Sequence, residues 1–285
     1  MNKYLTIFLY MILAAAANAE QLPTIFVSIL PQKYFVQGIA ENSLDIQVMV
    51  LPGQSPVTYE PGPQQMVKLS KAKLYFAIGV PFEIKWLPKI KQLYPDLTII
   101  QTDQGIKKRP MHSHRHHHQM DNHNHHIPDP HIWLSPPLTL LQARNIFTAL
   151  INLYPQKRTF FTKNYHQFIS QIVALDTELM HILSQYRHKT FMVFHPSWGY
   201  FADAYGWHQI PIETEGKDVK PSQLAHLIDS AKSNEIKVIF AQPQFSSKSA
   251  NLISKSIGGK LIMIDPLSVN WAENLKNVAR KMVKQ

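Results

Sequence analysis

The sequence predicts an α/β fold of two (β/α) lobes, each with a mostly parallel sheet, joined by one long rigid helix. Short apolar runs rich in β-branched and aromatic residues alternate with helical segments in both halves of the 285-residue chain. Between the halves, one apolar stripe at helical spacing continues for about 30 residues. A chain of this length can bury one large or two medium cores without disulfides.

Four strands are predicted in the N-terminal half, at 24–30, 45–51, 74–78 and 97–101. Helices are predicted from 31 to about 41, around 66–69, and at 81–94 and 137–153. Pro31 suits a first helical turn, because its missing N–H would have no intrahelical partner there. This alternation predicts parallel strands that are covered by helices.

The connecting helix is predicted from Pro155 to about Tyr186. Its apolar residues follow in steps of four and three, with no Gly or Pro between them: Phe161, Tyr165, Phe168, Ile172, Leu175, Leu179 and Ile182. At 1.5 Å per residue, about 30 residues extend about 45 Å, which is longer than a small domain. An oligomerisation coiled coil is the alternative, but a stripe of under about four heptads favours a bridge between lobes. We expect a monomer.

The C-terminal half repeats the β/α pattern. Strands are predicted at 191–194, 209–212, 237–241 and 261–264, and helices at about 197–206, 221–234, 246–257 and after 270. The chain is therefore divided into a signal segment 1–19, an N-terminal lobe 20–154, a connecting helix 155–187 and a C-terminal lobe 188–285.

The first residues predict export. Lys3 precedes an uninterrupted apolar run, and Ala17-Asn18-Ala19 fits a small-x-small cleavage pattern. The run of about 14 residues is shorter than the ~20 that a spanning helix needs. The chain has no cysteine, so it has neither disulfides nor a lipid-attachment cysteine. We expect a soluble periplasmic protein.

The net charge of +10 does not predict a nucleic-acid partner. The basic residues are spread over most elements, and no aromatic–basic recognition motif accompanies them. Export also argues against that class of function. Attraction to anionic envelope surfaces is compatible with the charge but unspecific.

A histidine-rich segment at 111–127 predicts metal binding. It holds eight of the fifteen histidines: His112, His114, His116, His117, His118, His123, His125 and His126. Neutral imidazole is the commonest protein ligand for zinc and similar metals. A purification tag or an ordinary polar loop is the alternative, but a tag would normally be terminal.

Three further residues complete a candidate metal site. His131 follows the histidine-rich segment, while His195 and Asp265 end predicted strands of the C-terminal lobe. Ligands of open α/β sheets bind beyond the carboxyl ends of the strands. A cleft between the lobes would bring His195 and Asp265 opposite the first lobe. His/Asp sets of this kind suit zinc and several other divalent ions.

Several motifs resemble the metal-binding solute receptors of ABC importers, the cluster A-I family, and above all its ZnuA-like zinc branch. They are LPGQSPVTYEPGPQQMVKLSKAKLYFAIGVPFE, DPHIWLSP, FHPSWGYFADAYG, ETEGKDVKPSQ and IDPL, in this order over nearly the whole chain. The resemblance implies two lobes with a metal in the interlobe cleft, and a histidine-rich loop marks the zinc branch. It further implies a periplasmic receptor that delivers zinc, as substrate rather than cofactor, to an ABC transporter membrane permease.

The resemblance also assigns ligands. It implies metal ligation by His131 in DPHIW, His195 in FHPSW and Asp265 in IDPL. The first ligand of the family is the histidine of a P-H-x-Y-E-P motif, and here Val57 occupies that position. A fourth ligand would then be water, Glu60 or a histidine of the 111–127 segment.

Three functions are alternatives to that of a zinc receptor. Val57 supports a degenerate paralogue or adhesin with weakened metal binding. Manganese, nickel or copper is the alternative cargo. A zinc hydrolase is disfavoured because the sequence has no HExxH, G-x-S-x-G or Gly-rich phosphate motif. We therefore expect a binding protein and not an enzyme.

Overall fold

The computed structural model describes residues 22–111, 128–213 and 219–284. The predicted signal segment and all eight histidines of the 111–127 segment lie outside the described residues. Two four-stranded parallel sheets form two lobes, and in each sheet the second strand of the lobe lies at one edge, followed by the first, the third and the fourth. The predicted fold class is confirmed.

The N-terminal lobe alternates strands and helices as predicted. Its strands are β1 (Thr24–Val27), β2 (Asp45–Val48), β3 (Leu74–Ala77) and β4 (Thr98–Gln101). Its helices are α1 (Leu30–Ala40), α2 (Pro63–Leu69), α3 (Pro81–Leu93) and α4 (Pro136–Leu153). The strands are shorter than the apolar runs, because 28–30 turns into α1 and 49–51 leaves the sheet. Apolar composition predicts burial there, but burial extends past the last ladder hydrogen bond.

The connecting helix α5 (Arg158–Leu183) carries the predicted apolar stripe. Short 3₁₀ turns, Pro155–Lys157 and Ser184–Tyr186, extend it at both ends, so the predicted long helix from Pro155 to about Tyr186 is confirmed. The stripe buries Phe161, Phe168, Ile172, Leu175 and Leu179. It packs against α1 and α4 on one lobe and against the last helix on the other. This packing makes α5 a bridge between the lobes.

The C-terminal lobe has the same plan. Its strands are β5 (Thr190–Val193), β6 (His208–Pro211), β7 (Val238–Ala241) and β8 (Lys260–Met263). Its helices are α6 (Gly199–Tyr205), α7 (Pro221–Ser233), α8 (Lys248–Ser256) and α9 (Trp271–Met282).

Aromatic contacts fasten the two lobes to each other. Trp133 donates its indole N–H to the carbonyl of Pro266 at 2.7 Å, and Trp271 donates to the carbonyl of Trp133 at 2.7 Å. Trp271 also meets Phe35 edge-on, with ring centroids 5.0 Å apart. One apolar core runs from the N-terminal lobe across α5 to α9. The lobes are therefore held in one relative position by buried contacts.

Within the part of the chain that the structure describes, no helix is long and apolar enough to cross a membrane.

Candidate metal site

His131 belongs to a short segment between β4 and α4 rather than to the sheet. Its ring Nδ1 and its backbone N both lie near Asp129 Oδ1, at 2.7 and 3.0 Å. A 3₁₀ turn, Ile132–Leu134, follows it and buries Trp133 beneath the ring. His131 is 7% exposed. The carboxylate fixes both the backbone and the ring of this histidine.

His195 lies beyond the carboxyl end of β5. Gln242, at the end of the neighbouring β7, accepts from the His195 backbone N at 3.0 Å and donates to its carbonyl at 2.8 Å. Glu213, which follows β6, lies with Oε1 at 2.7 Å from His195 Nδ1. Phe245 stacks on the imidazole with ring centroids 4.5 Å apart. Neighbouring strand ends therefore hold this side chain from several directions.

The two imidazoles face each other across the lobes. Their Nε2 atoms are 3.3 Å apart. Each Nδ1 lies against a carboxylate, which favours the Nδ1–H tautomer and leaves a lone pair on Nε2. Two lone pairs at this separation repel unless a proton or a cation lies between them. A tetrahedral zinc with Zn–N bonds of about 2.0–2.1 Å has a ligand–ligand edge of about 3.3–3.4 Å. The observed spacing matches that edge.

Burial keeps His195 in the form that binds metal. Desolvation lowers the pKa of the His195 imidazole, the hydrogen bond to Glu213 opposes that shift, and the neighbouring His131 lowers it further. A lowered pKa means that the neutral ring, which can donate its Nε2 lone pair to a metal, persists to lower pH.

The cavity beside the two histidines is small and mostly apolar. Its volume of about 30 Å³ suits a single ion or one to two waters rather than an organic ligand. Its walls are Pro56, Val57, Val80, Pro81, Met111, Pro130, His131, Trp133, His195, Gln244, Phe245, Pro266 and Leu267. Val57, at the position where the resemblance implies a first ligand, thus lines the cavity.

Asp265 and Glu60 are placed differently from the histidines. Asp265 Oδ1 accepts hydrogen bonds from Gln244 Nε2 at 2.7 Å and from the backbone N of Leu267 at 2.9 Å, and it does not line the cavity. Among the described residues, no three His, Cys, Asp or Glu side chains form a metal-ligating group. Ligation by Asp265 stays a prediction. Glu60 is exposed outside the cavity and pairs with Lys85, so it does not reach the site as a fourth ligand in this conformation.

Sequence reasoning missed the carboxylates that orient the rings. Asp129 and Glu213 are almost fully buried, and Glu213 Oε2 has no hydrogen-bond partner among the described residues. The signal for Asp129 was its place two residues before His131. The signal for Glu213 was its place after β6, which pairs with β5 in the same sheet.

The chain resembles characterised proteins over most of its length. Residues 25–285 match the family described as ZnuA, zinc-uptake complex component A, periplasmic. The zinc-binding lipoprotein AdcA of Streptococcus pneumoniae serotype 4 is 28% identical over 278 residues, covering 93% of this chain and 54% of that protein. The high-affinity zinc uptake system protein ZnuA of Bacillus subtilis (strain 168) is 26% identical over 243 residues, covering 83% of this chain and 76% of that protein. The chain thus spans about half the length of AdcA.

Solved structures agree with these matches. A crystal structure of ZnuA is 39% identical and superposes with a TM-score of 0.86, covering 93% of this chain and 99% of that one. A ZnuA deletion mutant with zinc bound is 39% identical with a TM-score of 0.84, covering 92% and 97%.

Proposed function

Because the chain belongs to the ZnuA family of periplasmic zinc-uptake complex components, we propose that it captures zinc between its two lobes and hands it to an ABC membrane permease. Membership of a family of uptake components also bears out the expectation that the chain is a binding protein and not an enzyme. Zinc is the transported substrate. We expect the capture to occur in the periplasm.

The observation that carries the proposal is the pair of facing Nε2 atoms. Their separation of 3.3 Å corresponds to one edge of a zinc tetrahedron, and each ring is oriented by a buried carboxylate. Carboxylate–histidine–zinc arrangements fix the tautomer and raise the basicity of the ligand. His131 and His195 are therefore the two ligands that we propose with the strongest support.

The remaining zinc ligands come from groups outside this pair. Val57 has no donor atom, so the position that the family fills with histidine contributes only an apolar wall. We propose that Asp265, water or a histidine of the 111–127 segment completes the coordination. Asp265 would need to exchange its bonds to Gln244 and Leu267 for the metal.

Zinc X-ray absorption on the purified protein tests the proposal. We expect about one tightly held zinc with at least two imidazole nitrogens at about 2.0–2.1 Å. The variant with both His131→Ala and His195→Ala should lose this signal while any zinc on the 111–127 segment remains. Absence of retained zinc would favour a degenerate receptor, and displacement of zinc by equimolar manganese, nickel or copper would favour another cargo.

Deletion of residues 112–126 tests whether that segment supplies a ligand. We expect weaker zinc binding at the cleft by calorimetry, since Val57 leaves the coordination incomplete. The His131→Ala, His195→Ala variant with the segment intact serves as the control, because it reports the zinc that binds to the segment alone. An unchanged cleft affinity in the deletion would exclude the segment as a source of ligands.

A further inference from the structure

Arg109 connects the N-terminal half of the metal site to the opposite lobe. Its guanidinium Nη1 lies 2.6 Å from Asp203 Oδ2 on α6, and its Nε lies 3.9 Å from Asp129 Oδ2. The Arg109 side chain is 16% exposed and Asp129 only 2%. We call Arg109, Asp129, Tyr200 and Asp203 the Arg109 clamp. It joins the two ends of the 111–127 segment to the C-terminal lobe.

The backbone of this region is held by the same residues. The Tyr200 hydroxyl accepts from the Arg109 backbone N at 2.9 Å and donates to the Asp129 carbonyl at 3.0 Å. The Asp129 backbone N donates to the Arg109 carbonyl at 2.8 Å. Burial raises the pKa of the Tyr200 phenol to about 12, so the hydroxyl stays a donor at neutral pH. One phenol of α6 thus bridges the backbone at Arg109 and at Asp129, on either side of residues 111–127 in the sequence.

The first residue of α6 leaves room for the guanidinium. A Cβ on Gly199 would lie 2.7 Å from Arg109 Nη1 and 3.3 Å from Asp129 Oδ2. The first contact is closer than van der Waals packing allows and the second is tight, so a side chain at Gly199 would displace the guanidinium and press on the Asp129 carboxylate. Gly199→Ala is therefore a way to move the guanidinium without removing it.

Asp129 divides its two oxygens between the metal ligand and the clamp. Oδ1 holds the ring and backbone of His131, and Oδ2 faces Arg109. A buried carboxylate is costly without a compensating cation, and Arg109 provides a permanent one. Without that charge, the carboxylate would be free to rotate or to draw in water, and the ring that it orients would lose its fixed direction.

We propose that Arg109 is a positioning residue for metal capture, because it fixes the carboxylate that orients His131 and ties that carboxylate to the lobe that carries His195. This inference rests on the proposed function, in that the metal between the histidines is the ligand whose retention Arg109 controls. Because the clamp spans both lobes around the site, we expect its effect to fall mainly on the rate at which the metal leaves.

Arg109→Ala in the full chain tests the proposal directly. We expect the zinc dissociation constant to rise about tenfold, the lower end of the range for residues behind the ligands, with most of the change in the dissociation rate. Nitrogen-15 NMR of the zinc-free protein should show His131 as one Nδ1–H tautomer in the wild type and as a mixture of tautomers in the variant. Arg109→Lys should restore part of the affinity, because an ammonium supplies the charge without the fork that reaches both carboxylates.

Two further variants, with one control, keep the proposal testable if Arg109→Ala does not fold. Gly199→Ala should reproduce its effects on tautomer and dissociation rate. Asp203→Asn, whose carboxylate is largely exposed, should weaken binding by no more than about fivefold. Arg280→Ala breaks an exposed ion pair with Glu273, outside the cavity, and should change neither measurement.

The outcomes separate this inference from the proposed function. If folded Arg109→Ala and Gly199→Ala keep the wild-type tautomer, affinity and dissociation rate, the positioning role is excluded while zinc capture stands. If the wild type itself binds no zinc, the proposed function fails, and the NMR spectrum of the zinc-free protein still decides whether Arg109 orients His131.

Discussion

The two lobes present the same chemical group to the metal site by different means. In the C-terminal lobe, His195, Glu213 and Gln242 all follow neighbouring parallel strands, so the sheet itself brings ring, carboxylate and amide together. In the N-terminal lobe, His131 lies off the sheet and depends on Asp129 nearby in sequence. The segments that follow its strands contribute Val57, Val80 and Pro81 to the cavity wall, and these side chains cannot ligate a metal.

The C-terminal half of the site is therefore preorganised by its own sheet, whereas the N-terminal half also depends on contacts with the other lobe. Strand ends position side chains more rigidly than connecting segments do, so the C-terminal half keeps its geometry independently of its partner. In the N-terminal half, Asp129 is in contact with Arg109 and with Tyr200 of the other lobe, and Arg109 pairs with Asp203 there. Substitutions in the two halves of the site should therefore change zinc affinity by different amounts.

The largest expected effect follows from removal of either ring. His195→Ala or His131→Ala should raise the zinc dissociation constant by at least about 100-fold, above the range for residues that only orient a ligand. Competition against a chromophoric zinc chelator measures this. His166→Ala, an exposed histidine on α5, is the control and should change nothing at the cleft. Equal retention of zinc in all three variants would place the site elsewhere.

A metal-ligating side chain at position 57 should strengthen zinc binding by the N-terminal half of the site. Val57→His puts an imidazole at the cavity wall that Val57 now lines, and we expect about 10- to 100-fold tighter zinc binding. Val67→His, on the exposed face of α2 and outside the cavity, is the matched control. Calorimetry should show tighter zinc binding for Val57→His than for Val67→His. If the two affinities agree, the native coordination is already complete without that position.

Loss of the orienting carboxylate in the C-terminal lobe should have a smaller effect. Glu213→Gln keeps the shape but replaces the anionic acceptor of His195 Nδ1 with a neutral amide, and we expect about tenfold weaker zinc binding. The stacked Phe245 and the Gln242 bonds keep His195 in place. Asp129→Asn should weaken zinc binding more than Glu213→Gln does, since fewer other residues hold the His131 ring in place. A larger loss of zinc affinity in Glu213→Gln than in Asp129→Asn would contradict the view that the C-terminal half of the site is the more preorganised one.

Sequence patterns predicted the parts of the molecule that depend on local periodicity. The strand and helix order, the bridge and the two histidines follow from runs of apolar residues and from motif positions. The Glu213–His195 and Arg109–Asp203 pairs could not be predicted in this way, because their partners are 18 and 94 residues apart and meet only through sheet register or lobe packing. The direction of the Asp265 carboxylate, toward Gln244 and Leu267, likewise depends on packing.

The smallest expected effect concerns the buried glutamate of the N-terminal lobe, Glu83. Its carboxylate accepts from Ser28 and from the backbone N–H groups of Ile78 and Gly79, beneath the Val80–Pro81 wall of the cavity. Burial, with a smaller contribution from nearby Asp103, raises its pKa from 4.5 to about 7 against the lowering effect of these hydrogen bonds. Unlike Glu213, it has no imidazole partner among the residues that the structure describes.

Because the pKa of Glu83 is higher in the folded than in the unfolded chain, its contribution to stability is complete below pH 4.5 and is lost as pH rises through about 7. We expect the wild type to lose about 1 kcal/mol of unfolding free energy between about pH 6 and pH 8 from this group. Denaturant unfolding of the zinc-free protein at the two pH values measures it, and Glu83→Gln should remove this part of the dependence. An identical pH dependence in the variant would show that Glu83 is already ionised at pH 6.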